Sequence, residues 1–266
     1  MKEESNNIDL KLPTKWEDLT DKQLRFLFGL LAQNLPAQQI KAYCLFRWSG
    51  MLVMHRYGKG WYCKFAKDEF LLFPPQVNAA IASLDWIESM PQSPVRLSRL
   101  GKYRAVPADF DGVPFESFIV CDNLYQGYLS TKNDELLEQM ATHLYICGGG
   151  VVRKLTPPYT LHLTQTERIS VFYWFSSLKD YLAKRFKHFF QPLGETNGNM
   201  FEHDVSQYEM LQNAVNAQIR ALTKGDITKE AEVLALDTWR ALTELDAQAH
   251  EYEQLNSKYL SAPPLR

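Results

Sequence analysis

Six histidines, thirty-one carboxylates and four cysteines are the side chains here that could do acid–base, nucleophilic or metal chemistry. Their spacing commits none of them. Glu202-His203-Asp204 is the one dense run of metal-type ligands. Consecutive side chains point in different directions on a helix or a strand, so an ion there would need ligands from elsewhere. The run reads as a solvated helix start, with Asp204 as its cap. The other histidines, His55, His143, His162, His188 and His250, are isolated from one another along the chain. Neither H-E-x-x-H nor G-x-S-x-G occurs. Cys44, Cys63, Cys121 and Cys147 include no C-x-x-C pair and no close histidine, which excludes zinc-type spacing and reads as reduced, mostly buried thiols. Gly148-Gly149-Gly150 follows a helical stretch, whereas a phosphate-cradling loop follows a strand; the glycines read as a helix stop. The sequence therefore nominates no catalytic, cofactor-binding or metal-ligating residue, and no cofactor.

Charge narrows the field further. The 29 basic and 31 acidic side chains leave a net charge of −2, so no global field draws in a polyphosphate backbone. Lys224-Gly225-Asp226 has the look of a turn between two helices. A DNA-reading second helix would carry basic and amide residues at its start, and this one carries Glu230 and Glu232 beside Lys229. The segment from Met1 to Pro13 is polar and shows no secretory signal. No run approaches the roughly 18–20 apolar residues that span a bilayer. A cytoplasmic protein with no membrane contact is the expectation.

These side chains must be positioned by elements whose signals are clearer. Thr20 and Gln23 form a capping box, with Leu19 and Leu24 placed to staple across it. The helix that follows presents Leu24, Leu27, Phe28 and Leu31 on one face. Pro36 opens a second helix ending at Gly50. The β-branched and aromatic runs on either side of Gly58-Lys59-Gly60 predict a hairpin, with a further strand near Phe70 to Phe73. Pro74-Pro75 starts a helix through Val77, Ile81 and Leu84. Residues 91–114 are rich in Pro and Gly and read as a long irregular connection containing a short strand near 103–106. Helices are expected from Phe115 and, capped by Asn133, up to Cys147. "YTLHL", residues 159–163, alternates like a strand.

Thr164 and Glu167 make a second capping box, which opens a helix expected to reach Phe190. Its stretch "VFYWFSSLKDYLAKRFKHFF" holds eight aromatic and four basic residues. Val171, Phe175, Leu178, Leu182, Phe186 and Phe189 recur at helical spacing. Rings inward and lysines outward suit a membrane-surface helix as well, but a capped helix in mid-chain is a structural element. We read it as buried in the core or a subunit interface. The C-terminal part predicts a helical hairpin. One arm runs through Tyr208 to Leu222. The other places Ala231, Leu234, Thr238, Ala241 and Leu245 on one stripe of near-heptad spacing.

The combination of "LPTKWEDLTDKQLRFLFGLLA", "GVPFESFIVCDNLYQGYL", "FYWFSSLKDYLAKRFKHFF" and "QIRALTKGDITKEAEVLALDTWRALTELDA" resembles uncharacterised proteins of bacterial prophages and other mobile elements. The resemblance implies a cytoplasmic accessory or morphogenesis protein and supplies no catalytic residues. The C-terminal hairpin is similar to that of tail-assembly chaperones.

The expected architecture is α+β and mainly α: a helical protein with a small antiparallel β-hairpin element and a C-terminal helical hairpin. Three segments are expected, 1–90, 91–196 and 197–266, or one continuous domain. The leading function is a non-enzymatic interaction or assembly protein with a protein partner or a second copy of itself. The alternatives are an enzyme whose site assembles only in three dimensions and a nucleic-acid-binding accessory protein.

Overall fold

The computed structural model describes residues 10–147, 161–190 and 217–261, with side chains to residue 255. The chain is mainly α with two small antiparallel sheets. Helix α1 (Asp21–Leu31) begins with the expected reciprocal cap: the Thr20 hydroxyl accepts from the Gln23 amide while the Gln23 side chain accepts from the Thr20 amide. Leu19 and Leu24 are both buried beside it. Helix α2 (Ala37–Ser49) follows Pro36, which occupies the cap position, and closes at Gly50 in the left-handed region, φ 77°.

Strands β1 (Leu52–Tyr57), β2 (Gly60–Phe65) and β3 (Asp68–Leu72) form the first sheet, in the order β1-β2-β3. The β1–β2 turn is built on Gly58, φ 56°. Gly60 is required for a different reason: a Cβ there would lie 2.7 Å from the Leu72 carbonyl oxygen. Helix α3 (Pro74–Ile81) passes into a 3-10 segment, Ala82–Glu88. The expected stripe of Val77, Ile81 and Leu84 is buried along both, and Ile87 continues it.

The 91–114 connection is tied down rather than loose. Its strands β4 (Arg99–Leu100) and β5 (Tyr103–Ala105) pair with each other, and β5 pairs with β6 (Tyr145–Cys147). This second sheet overturns the expectation of helix up to Cys147. Helix α5 (Asp134–Leu144), capped by Asn133, stops where the buried Tyr145 can donate its hydroxyl to the Leu97 carbonyl at 3.1 Å. Helix α4 (Phe115–Thr131) packs against α5. The expected strand at 159–163 is corrected where it is described. Leu161 and Leu163 are buried and His162 is exposed, but residues 161–163 join no ladder. The Leu163 amide donates instead to Glu138 at 3.2 Å.

Helix α6 (Gln165–Arg185) carries the second capping box as read. Val171, Trp174, Phe175, Leu178 and Leu182 are buried along it, and Phe172, Tyr173 and Tyr181 are half-buried. The rings are covered by the same chain. Phe110 meets Phe118, Trp174 and Phe175 edge-on, Tyr125 lies against Phe172 and Phe175, and Trp174 donates to the Ala108 carbonyl at 2.8 Å. The helix stops five residues before Phe190. The Asp246 carboxylate there accepts from the amides of His188 and Phe189 at 2.8 and 2.9 Å, turning the backbone over the C-terminal helix.

Residues 217–223 form helix α7, and Gly225 at φ 82° ends it, with Asp226 capping the 3-10 turn Ile227–Lys229. The single second arm is corrected: it is divided into α8 (Glu230–Leu234) and α9 (Thr238–Ser261). Between them the backbone is claimed by residues 112–115. Leu236 accepts from the Phe115 amide at 2.8 Å, Asp237 accepts from the Gly112 amide at 2.7 Å, and Thr238 donates from both its amide and its hydroxyl to the Val113 carbonyl. One connected apolar core runs from Trp16 through α6 to Ala241, Leu242 and Leu245.

Candidate functional site

The residues the sequence weighed for chemistry fall in scattered places. Cys44, Cys63 and Cys121 are buried, and burial pushes the Cys44 thiol up to about 12, far from any reactive thiolate. Cys147 is exposed. His55 stacks on Tyr62, and His143 is half-buried with burial lowering its pKa. His162 lies 3.7 Å from the buried Glu138 carboxylate. Lys224-Gly225-Asp226 is a turn between helices. Gly148-Gly149-Gly150, Glu202-His203-Asp204 and the first part of the expected hairpin arm lie outside the described residues. Treating the histidines as isolated needs one correction: folding brings His188 and His250 into ring contact at 4.1 Å.

A concave surface lies elsewhere, where α2 meets the first sheet. A hollow of about 660 Å³ is lined by Phe26 of α1, Gln39, Ala42, Tyr43, Phe46 and Arg47 of α2, and Gly50 to Val53 with Trp61. A second hollow of about 470 Å³ shares the Phe26–Arg47 wall and continues to Thr20, Lys22, Gln23 and Trp48. The Arg47 guanidinium sits 5.9 Å from the centre of the Phe26 ring.

Beside the larger hollow runs β1. It is an outer strand of its sheet, and all six of its residues are exposed. Leu52 is 60% exposed, Met54 55% and Tyr57 61%, and across the groove Tyr43 is 52% exposed. An apolar edge strand is a template for another chain, and proteins ordinarily blunt it with charge or a bulge. Both devices are present on β1: the register shifts between Val53 and His55, and Arg56 follows. They begin only after Val53. Leu52 and Val53, which line the hollow, are left unguarded.

The hollow has the volume and the mostly apolar lining of a small-molecule pocket. Arg47 is the one formally charged residue in its lining, so it contains no acid–base pair and no cluster of metal ligands. What the arrangement offers is apolar area, an accessible strand edge and one cation. The hairpin was readable in the sequence, but its bare outer edge was not. The run Leu52-Val53-Met54 has the composition of a covered strand, and only the placement of the helices shows that nothing among the described residues covers it.

No protein-family model matches the chain, and no curated protein or solved structure matches it either. Among the described residues, no helix is long and apolar enough to cross a membrane.

Proposed function

We propose that the chain is a non-enzymatic interaction protein, of the accessory or assembly kind to which the mobile-element resemblance points. It docks a short, extended segment of a partner protein in the α2–β1 groove. The observation that carries this reading is the fully exposed β1 edge beside an apolar hollow. The segment is apolar with an acidic residue: its side chains fill the space between Tyr43, Leu52 and Trp61, its backbone pairs with the first residues of β1, and its carboxylate meets Arg47. The bulge beyond Val53 limits the pairing to a few residues, so burial of apolar side chains supplies most of the affinity.

The test is selection of peptides from a random library on the full chain, with isothermal titration of the winners. The expected winners are apolar segments bearing Asp or Glu. Their affinity falls at least about tenfold, roughly 1.4 kcal/mol, in Val53→Asp and in Arg47→Glu. Winners that bind both variants as tightly as the parent would refute the site. A concentration-dependent dimer that Val53→Asp dissociates would replace the partner with a second copy.

A further inference from the structure

We propose that His188, His250 and Glu253 form a binding site for a divalent transition-metal ion of the zinc class, which clips the turn after α6 to helix α9. Their ligand atoms all lie within 4.8 Å of one another. His188 Nδ1 is 3.0 Å and His250 Nδ1 is 4.0 Å from the same carboxylate oxygen, Glu253 Oε2. A tetrahedral ion with bonds of 2.0–2.2 Å places its ligand atoms roughly 3.3 Å apart, between these two separations, so small side-chain rotations close the set. Two imidazoles and a carboxylate are a zinc-type donor set, and three protein ligands leave a fourth position for water.

The surroundings support these roles. Asp246, His250 and Glu253 follow spacings of four and three and share one face of α9. Asp246 grips the backbone amides of His188 and Phe189, which sets the His188 ring against that face. The far nitrogen of His250, Nε2, lies 2.8 Å from the Gln254 side-chain nitrogen, whose place the amide oxygen takes when the group is turned end for end. With the amide oxygen turned to the ring, Nε2–H donates to it and the Nδ1 lone pair is presented to the ion, the kind of outer hydrogen bond that orients metal-bound histidines. The two imidazole rings lie 4.1 Å apart, tilted at 45°, so both present ring nitrogens to the space beside Glu253. The site is open to entry: the His250 and Glu253 side chains are 46% and 40% exposed.

The test uses the full chain, stripped with a chelator, titrated with Zn2+ by calorimetry and with Co2+ by visible absorption. One ion per chain is expected, with the intense visible bands of tetrahedral cobalt. Tm is expected to rise by roughly 5 °C or more at a hundredfold excess over Kd. His188→Ala and His250→Ala each weaken binding at least about tenfold, and Glu253→Gln weakens it too. His188→Ala keeps the amide that Asp246 holds, and His250 is a surface position, so both variants fold. His55→Ala and Cys147→Ser bind as the parent does. The absence of a stoichiometric site would overturn the proposal, as would binding that survives both histidine variants.

Discussion

Glu138 is a buried carboxylate of α5 held by donors from α6 and the segment before it. Arg168 reaches its Oε1 from Nε at 3.1 Å and from Nη2 at 2.5 Å, and the Leu163 amide adds a third bond. Burial works to raise the carboxyl pKa, but the guanidinium and the amide outweigh it, and the result lies below the ordinary value. A lowered folded pKa means that the stabilisation is complete above the unfolded value of about 4.5 and is lost as pH falls through the folded one. Arg168→Met strands the buried charge. It is expected to destabilise the protein by about 2–4 kcal/mol at pH 7, measured by urea unfolding. The gap between parent and variant narrows as pH falls towards 4.5 and below, because burial without Arg168 raises the variant's carboxyl above its ordinary value and it protonates first. A gap that widens on acidification would contradict this account. Lys41 makes the opposite case. The buried ammonium bridges Asp85 and Glu88, both at 2.6 Å, and these bonds raise its pKa above 10.5. Its contribution is complete below that value and disappears as pH climbs through the raised one. Both carboxylates are more than half exposed, so they are cheaply rehydrated. Lys41→Met is therefore expected to cost less than about 1 kcal/mol at neutral pH, and to remove a loss of stability expected in the parent above pH 10.5, both read from urea unfolding.

At the scale of elements, two helices end where a distant acceptor or donor competes for their backbone. Helix α6 gives way to the turn gripped by Asp246, and the junction of α8 and α9 is fixed by 112–115. Asp237 holds that junction. One carboxylate oxygen accepts from Gly112, and the other caps α9 through the Arg240 amide at 3.1 Å. Asp237→Ala is expected to lower stability by about 1–2 kcal/mol in denaturant unfolding. Asp237→Asn, which keeps an acceptor at the cap, is expected to lose less than half of that. Equal losses would mean that charge, rather than capping, holds the junction. Thr164→Ala tests α6 in the same way: removing the cap of a helix whose far face is already packed costs about 1 kcal/mol.

For the whole molecule, the division of labour between core and surface is the useful fact. The α6 rings that could have served a membrane or a base stack are spent on the shared core with Phe110, Phe118 and Tyr125. The apolar surface left bare belongs to the small sheet. Val53→Asp is therefore expected to leave Tm within about 1–2 °C of the parent, because an exposed edge residue contributes little to stability. The same change removes binding of apolar–acidic peptides. A large fall in Tm would show that β1 is covered in the folded protein, and the docking proposal would fail with it.

The sequence alone determined what depends on near neighbours. Thr20 with Gln23 and Thr164 with Glu167 fix two helix starts, Asn133 and Asp226 cap where they stand, Gly50 and Gly225 end helices, and Gly58 turns the hairpin, because each interaction closes within a few residues. The helical spacing of Val171 to Phe186 likewise marked a buried face. Tertiary structure decided whatever depends on groups far apart along the chain. Tyr145–Cys147 becomes a strand because β5 lies alongside. The last arm breaks because Val113 and Phe115 take its backbone bonds. His188 meets Glu253 across 65 positions, a pairing for which helical periodicity carries no signal. Local hydrogen bonds declare themselves in spacing, whereas long-range ones are settled only when burial makes an unpaired polar group costly enough to override a helix.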